Sequence, residues 1–324
     1  MPNKTLIGYL ALLSYNILEA AYALCINVGG PLNNYKLLSV INMVTAIESK
    51  LLNINIELDY KTIKMICRCL LANNILTIVY VVLFQQWIYF KTNISEKFAI
   101  GYTSLAELQL LLKYMVILLI AKQFLKAINS HIFKFYINTT TPQEHNLRYK
   151  REMIKKIGII YGEFFKLITK FNSLISINLV FLFASLFAFM VLEIFICSAK
   201  FDLTTVTEFK ISSALSITTI VYCVLFLLCY IFTAELYYKE VAEFKRNLLK
   251  LMLHSRDECL RQEVNALTLQ LSHENYEITA AGFFVIDLKL VFSIMAAIST
   301  YTIILVQYDP KAKMFHHFID ESDL

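Results

Sequence analysis

Six stretches of this chain are long and apolar enough to cross a lipid bilayer. They lie near residues 5–27, 66–90, 99–124, 172–198, 211–234 and 288–308. A hydrocarbon core about 30 Å thick takes roughly 20 apolar residues in a helix. Glycine (7) and proline (4) are scarce among the 324 residues, so little interrupts these helices. With 58% hydrophobic and 17% charged residues, a soluble domain of this size could not hide its apolar side chains. The expected class is an all-α, polytopic helical membrane bundle.

Charge sorts the connections between the spans. Three are long, near 28–65, 125–171 and 235–287, and two are short, near 91–98 and 199–210. The long ones carry most of the lysine and arginine, including Lys155, Lys156, Lys166 and Lys170, and later Lys245, Arg246 and Lys250. The positive-inside rule places the long connections in the cytoplasm. Six spans then leave both termini outside. The first span has no small-residue cleavage site and holds Glu19, so it reads as a retained helix, not a signal peptide. The sequons at Asn3, Asn93 and Asn138 carry little weight, because Asn138 falls in a cytoplasmic loop and Asn93 lies close to the membrane.

The two late cytoplasmic connections have helical spacing. Ile157, Ile160, Tyr161, Phe164, Phe165 and Ile168 recur every three or four residues. The same spacing runs from Glu235 to Phe284 through Leu248, Leu249, Leu251, Met252, Leu267, Leu269 and Leu271. These helices are expected to continue membrane helices into the cytosol and pack there as an anchor region. The expected divisions are residues 1–234, membrane helices with their loops; 235–287, cytoplasmic anchor helices; 288–308, the last span; and 309–324, a short extracellular tail.

Several chemistries are not encoded. The seven cysteines fall mostly in or beside apolar segments and form no disulfide framework. There is no phosphate loop, dinucleotide fingerprint, nucleophile elbow or His-Glu-x-x-His, and His316-His317 in the tail is no metal site. The net charge of +5 is modest and shows no nucleic-acid-reading pattern. The chain is expected to be no enzyme, to use no cofactor or metal, and to have the lipid bilayer as a partner.

The last span carries Thr300-Tyr301, five mostly apolar residues, then Gln307-Tyr308, and Ala281-Gly282-Phe283-Phe284 precedes it. This resembles the C-terminus of insect gustatory receptors, whose final helix ends in Thr-Tyr, five residues, Gln-Phe. The likeness covers roughly residues 150–308 and extends less closely over 30–125. It implies a ligand-gated, non-selective cation channel with the last helix of each subunit lining the pore. Two departures stand out. Tyr308 replaces the family's Phe. The family has seven spans and a cytoplasmic N-terminus, whereas six are counted here. The missing span is expected to be the first, through an incomplete gene model or a shortened receptor.

The resemblance points to Tyr301, Ile304, Gln307 and Tyr308 as pore and gate residues. Ala297, Tyr301, Ile304 and Tyr308 fall on one helical stripe, with Thr300 and Gln307 at its edge. Gln307 would present a ring of amide dipoles, and Ile304 and Tyr308 apolar rings that close by dewetting. An ordinary packed helix is the alternative use of the same residues. Asp287 serves either to draw cations at the cytoplasmic mouth or to start the helix.

Ligand candidates lie in the outer half of the bundle: Gln86, Trp87, Glu107, Phe187 and Glu193. Trp87 also suits an interfacial aromatic belt. The two intramembrane glutamates are costly to bury. The implied partners are a small tastant and further copies, as a homotetramer or with related receptors in the plasma membrane. Alternatives are a related insect odorant receptor, a G-protein-coupled receptor or a transporter. The last two lack support, because there is no Asp/Glu-Arg-Tyr, no Asn-Pro-x-x-Tyr and no clear internal repeat.

Overall fold

The computed structural model describes residues 35–61, 63–65, 94–137, 144–199, 206–255 and 257–307, with five further positions between 17 and 75. Nearly all of the first span and most of the second lie outside these residues. So do Gln86, Trp87, Tyr308, the sequons and the tail.

Buried positions repeat at alternating spacings of four and three, which decides how the helices pair. A first helix, α1, covers residues 35–53. It is followed by α2 (Ile94–Ile137), α3 (Glu144–Ala199), α4 (Val206–His254) and α5 (Glu258–His273). In α2 the core side chains include Tyr114, Leu118, Ala121, Leu125, Ile128 and Ile132, with Met115, Ile117, Leu119 and Phe124 buried beside them. In α4 they are Tyr230, Ala234, Tyr237, Val241, Phe244, Leu248 and Leu251, and in α5 Leu260, Val264, Leu267 and Leu271. A strict seven-residue repeat is the pattern of long helices packed nearly parallel, knobs into holes.

These helices outrun the bilayer. With 44, 56 and 49 residues, α2, α3 and α4 extend roughly 65, 85 and 75 Å, at least twice the hydrocarbon thickness. The expected helical extensions are therefore uninterrupted helices, and α4 runs straight through the expected division at 234/235. Among the described residues, Leu112–Lys134, Arg148–Phe195 and Leu288–Gln307 are long and apolar enough to span a membrane.

The chain forms two compact units. One includes Ile177–Phe232 and the chain from Ile286. The other holds Gly30–Ser176 and Thr233–Val285. In this second unit α1 lies antiparallel to α3: Lys170 Nζ donates to Ser39 Oγ at 2.6 Å, and Lys50 pairs with Glu163. Helix α5 runs parallel to α3. Arg151 pairs with Asp257 at 3.3 Å and Lys155 with Glu263 at 3.1 Å. One and two turns on, Gly158 and Gly162 face Leu267 and Gln270, and a Cβ at Gly162 would sit 3.4 Å from the Gln270 amide nitrogen. Asn129, buried on α2, donates to the Glu240 carbonyl of α4 at 3.1 Å.

An aromatic cluster fills the middle of this unit. Tyr161 stacks on Phe244 at 4.8 Å, Phe164 lies against Tyr237, and Tyr276 contacts both Tyr161 and Phe165. Lys245 Nζ sits over the Tyr276 ring at 5.1 Å, a cation–π contact.

The helical spacing expected over Glu235–Phe284 is interrupted twice. It breaks first between His254 and Glu258, where Asp257 leaves helical geometry and its carboxylate accepts the Cys259 N–H. A side chain that satisfies a free helix donor in this way starts a new helix. It breaks again after His273, two residues past the last buried leucine. There Asn275 Oδ1 accepts the Glu277 N–H, forming a local turn. The remainder is a short hairpin, β1 (Thr279–Ala280) and β2 (Phe284–Val285), that leads into the last helix, α6 (Leu288–Gln307).

Two predictions follow from the cluster. Phe244→Ala opens a cavity beside Tyr161 and should cost about 3–5 kcal/mol, read as a lower unfolding temperature in detergent. Burial, then the Glu274 hydrogen bond, raise the Tyr276 phenol above its ordinary 10.0. Burial also raises that of Tyr237. Both favour the neutral form in the folded state. Their contribution is complete below about pH 10 and is lost as pH rises beyond it, so thermal stability should hold from pH 7 to 9 and fall above 10.

Candidate functional site

The approach to α6 is fixed residue by residue. Ala281 and Gly282 both have positive φ, 51° and 79°, and the Phe283 N–H closes the turn on the Ala280 carbonyl at 2.9 Å. Positive φ at both central positions is the requirement of a type I′ hairpin turn. β1 and β2 pair antiparallel, Thr279 with Val285 and Ala280 with Phe284. Asp287 then caps α6: its carboxylate oxygen accepts the Leu290 N–H at 3.1 Å. Of the two uses considered for Asp287, the helix start is the one observed.

The hairpin is held from both sides. Asn172 of α3 grips Thr279 twice: its Oδ1 accepts the Thr279 N–H at 3.1 Å, and its Nδ2 donates to Thr279 Oγ1 at 3.2 Å. Tyr238 of α4 accepts the Ile278 N–H on its hydroxyl oxygen at 2.8 Å.

Helix α6 is unlike the other spans. Only 6% of its most apolar window is buried, against 56% for Leu112–Lys134. Ile298 is its one buried residue, flanked on the same face by half-buried Val291, Ile294 and Leu305. Ser293, Ala296, Thr300 and Gln307 are exposed on the opposite face, because their spacings of three, four and seven place them on one stripe. The Ser293 and Thr300 hydroxyls bond to the carbonyls four residues back, at 3.2 and 2.9 Å.

Against that geometry the expected site residues separate. Ile304 and Gln307 are exposed, and Ala297 is half-buried. Tyr301 is 54% exposed at the edge of the packed face. Its ring meets Phe187 of α3 edge-on at 5.7 Å, so one pore candidate and one ligand candidate are in contact. Glu193 is half-buried on α3, six residues beyond Phe187, and so on another face. Glu107 falls within the backbone of α2. Ser293 was missed as a stripe member, although stepping back seven residues from Gln307 to Thr300 to Ser293 would have found it. Asn172 and Tyr238 were missed because their partners are main-chain groups far along the sequence.

Comparison with known proteins decides the family. The family described as 7tm chemosensory receptor matches residues 4–312. This chain belongs to the 7tm chemosensory receptor family. The receptor is similar to a Drosophila melanogaster protein named gustatory receptor 28a, 40% identical over 73 residues. That match spans 22% of this chain and 15% of the relative. Its fold is that of the insect olfactory receptor OR5 from Machilis hrabei, with a TM-score of 0.57, 16% identity, and coverage of 94% of this chain and 88% of that one. The structure of that protein in complex with eugenol aligns over the same shares with a TM-score of 0.56. The receptor is therefore a multi-pass membrane protein with the expected helical-bundle fold.

The turn yields a stability prediction for this receptor. A non-glycine residue at positive φ is strained by about 1–2 kcal/mol, and Asn tolerates that region. Ala281→Asn creates the preferred Asn-Gly pair and should raise the unfolding temperature in detergent.

Proposed function

We propose that this receptor is a taste receptor of the plasma membrane, acting as a ligand-gated, non-selective cation channel. Residues 288–308 line the pore, with Tyr301, Ile304, Gln307 and Tyr308 as pore and gate. The helices before Glu235 bind a small tastant in the outer half of the bundle, where Gln86, Trp87, Glu107, Phe187 and Glu193 are the candidates. Residues 235–287 act as the cytoplasmic anchor, and 309–324 form the outer tail. The assembly is a homotetramer or a heteromer with related receptors.

The observation that carries this reading is α6 itself. An apolar helix with a single buried side chain has its surface free for other copies or a conduit. Its outward stripe of Ser293, Ala296, Thr300 and Gln307 is small and polar. Small residues allow helices to approach closely, and an amide ring tolerates partly hydrated cations. The contact of Tyr301 with Phe187 supplies a route for a ligand beside α3 to bias the helix. A ligand shifts opening only by its difference in affinity for the two states.

A second reading, a volatile odorant as ligand, has one observation in its favour: the fold neighbour OR5 has been solved with eugenol. A panel holding sugars, bitter compounds and phenolic volatiles separates the two.

The test is whole-cell current in cells expressing the receptor, alone and with a related receptor, over that panel. The expected result is a cation current that persists when G proteins are inhibited, with altered permeability or block in Gln307→Ala. A current whose permeability and block are unchanged in Gln307→Ala overturns the assignment of α6 to the pore.

A further inference from the structure

We infer that Asn172 and Tyr238 are positioning residues that couple the membrane helices to α6 through the hairpin. The inference rests on α6 being the moving, pore-lining element.

Helices α3 and α4 each run without a break beyond the spans expected at 172–198 and 211–234. Asn172 stands where the span expected in α3 begins, and Tyr238 stands one turn past the end of the span expected in α4. They reach neighbouring residues, Tyr238 accepting the Ile278 N–H and Asn172 the Thr279 N–H. Six residues lie between Thr279 and Ile286, where the chain passes on toward α6.

The chemistry of the grip suits transmission. Bonds to main-chain N–H groups fix the backbone path itself, whatever the side chains of the strand. Asn172 uses both ends of its amide, which fixes its own rotation as well as the strand's. The paired strands and the type I′ turn are short and closed. The Asp287 carboxylate then locks the first turn of α6. The inference is that displacement of α3 or α4 reaches α6 by way of the hairpin that these bonds hold.

The Asn172 amide makes no ion pair. The Tyr238 hydroxyl sits beside Ile278, while the ring of Tyr238 packs on Tyr237 at 5.5 Å. Tyr238→Phe therefore keeps the packing and removes the acceptor. Asn172→Leu keeps the volume and removes both polar ends, whereas Asn172→Asp retains the acceptor for Thr279.

The experiment uses the full chain with Gln307→Cys as reporter in intact cells. The rate of modification by a membrane-impermeant cationic methanethiosulfonate is read on gels against the parent chain lacking the reporter. Hydrogen exchange on purified protein follows the Ile278 and Thr279 amides. Asn172→Leu with Tyr238→Phe should release both amides and change the Gln307→Cys modification rate by about fivefold, the scale of one lost hydrogen bond. Asn172→Asp should keep the parent rate. Two results overturn the inference: released amides with an unchanged modification rate, or amides that stay protected in the double variant. If the double variant does not reach the surface, Tyr238→Phe alone is judged by the same two criteria. Because modification is read chemically, this outcome is independent of conduction. The pore reading fails separately, if complete modification at Gln307→Cys leaves the current unaltered.

Discussion

Tyr276 is the contact on which the second compact unit depends. It lies past the end of α5, in a segment with no helical hydrogen bonds of its own, yet it is 5% exposed. Its ring contacts Tyr161 and Phe165 on α3, its hydroxyl donates to Glu274, and Lys245 of α4 covers its face. One side chain thus ties the irregular segment to two long helices. The hairpin begins two residues later, already held close to Asn172 and Tyr238.

Much of this was legible in the sequence and some was not, for physical reasons that differ by element. The long helices were legible because apolar residues at three- and four-residue spacing admit little else, and the scarcity of glycine and proline removes the usual stops. The break at Asp257 was less visible, since apolar residues at four- and three-residue spacing resume on its far side at Leu260, Val264 and Leu267. The hairpin was misread as helix for a related reason: Ala281 carries no turn signal by type, and only Gly282 marks the bend. At Asp287 two uses were open, and the geometry of one bond to Leu290 selects the helix cap.

The candidate site divides similarly. The motif from Thr300 to Gln307 identified α6, and the family match bears out the recognition that rested on it. The orientation of the helix was not available from the motif. It follows from Ile298 being the buried residue, which sends Thr300 and Gln307 outward and leaves Tyr301 at the margin against Phe187. The grip on the hairpin left no trace in the sequence, because a main-chain N–H is offered by every non-proline residue. Only the fold brings Asn172 to Thr279 across more than a hundred positions.

The unbroken course of α3 from Glu144 to Ala199 restricts how such a chain can vary in length. A residue inserted or deleted near Ser176 would rotate the part of α3 after it against the part before it by about 100°, a full side-chain step around the helix. Leu179, Leu182 and Leu186 would leave the core while Phe164, Ile168 and Phe171 stayed in it. Length changes are therefore confined to connections such as that between α2 and α3. Inside the long helices, only additions that restore the seven-residue repeat keep the same helix face buried.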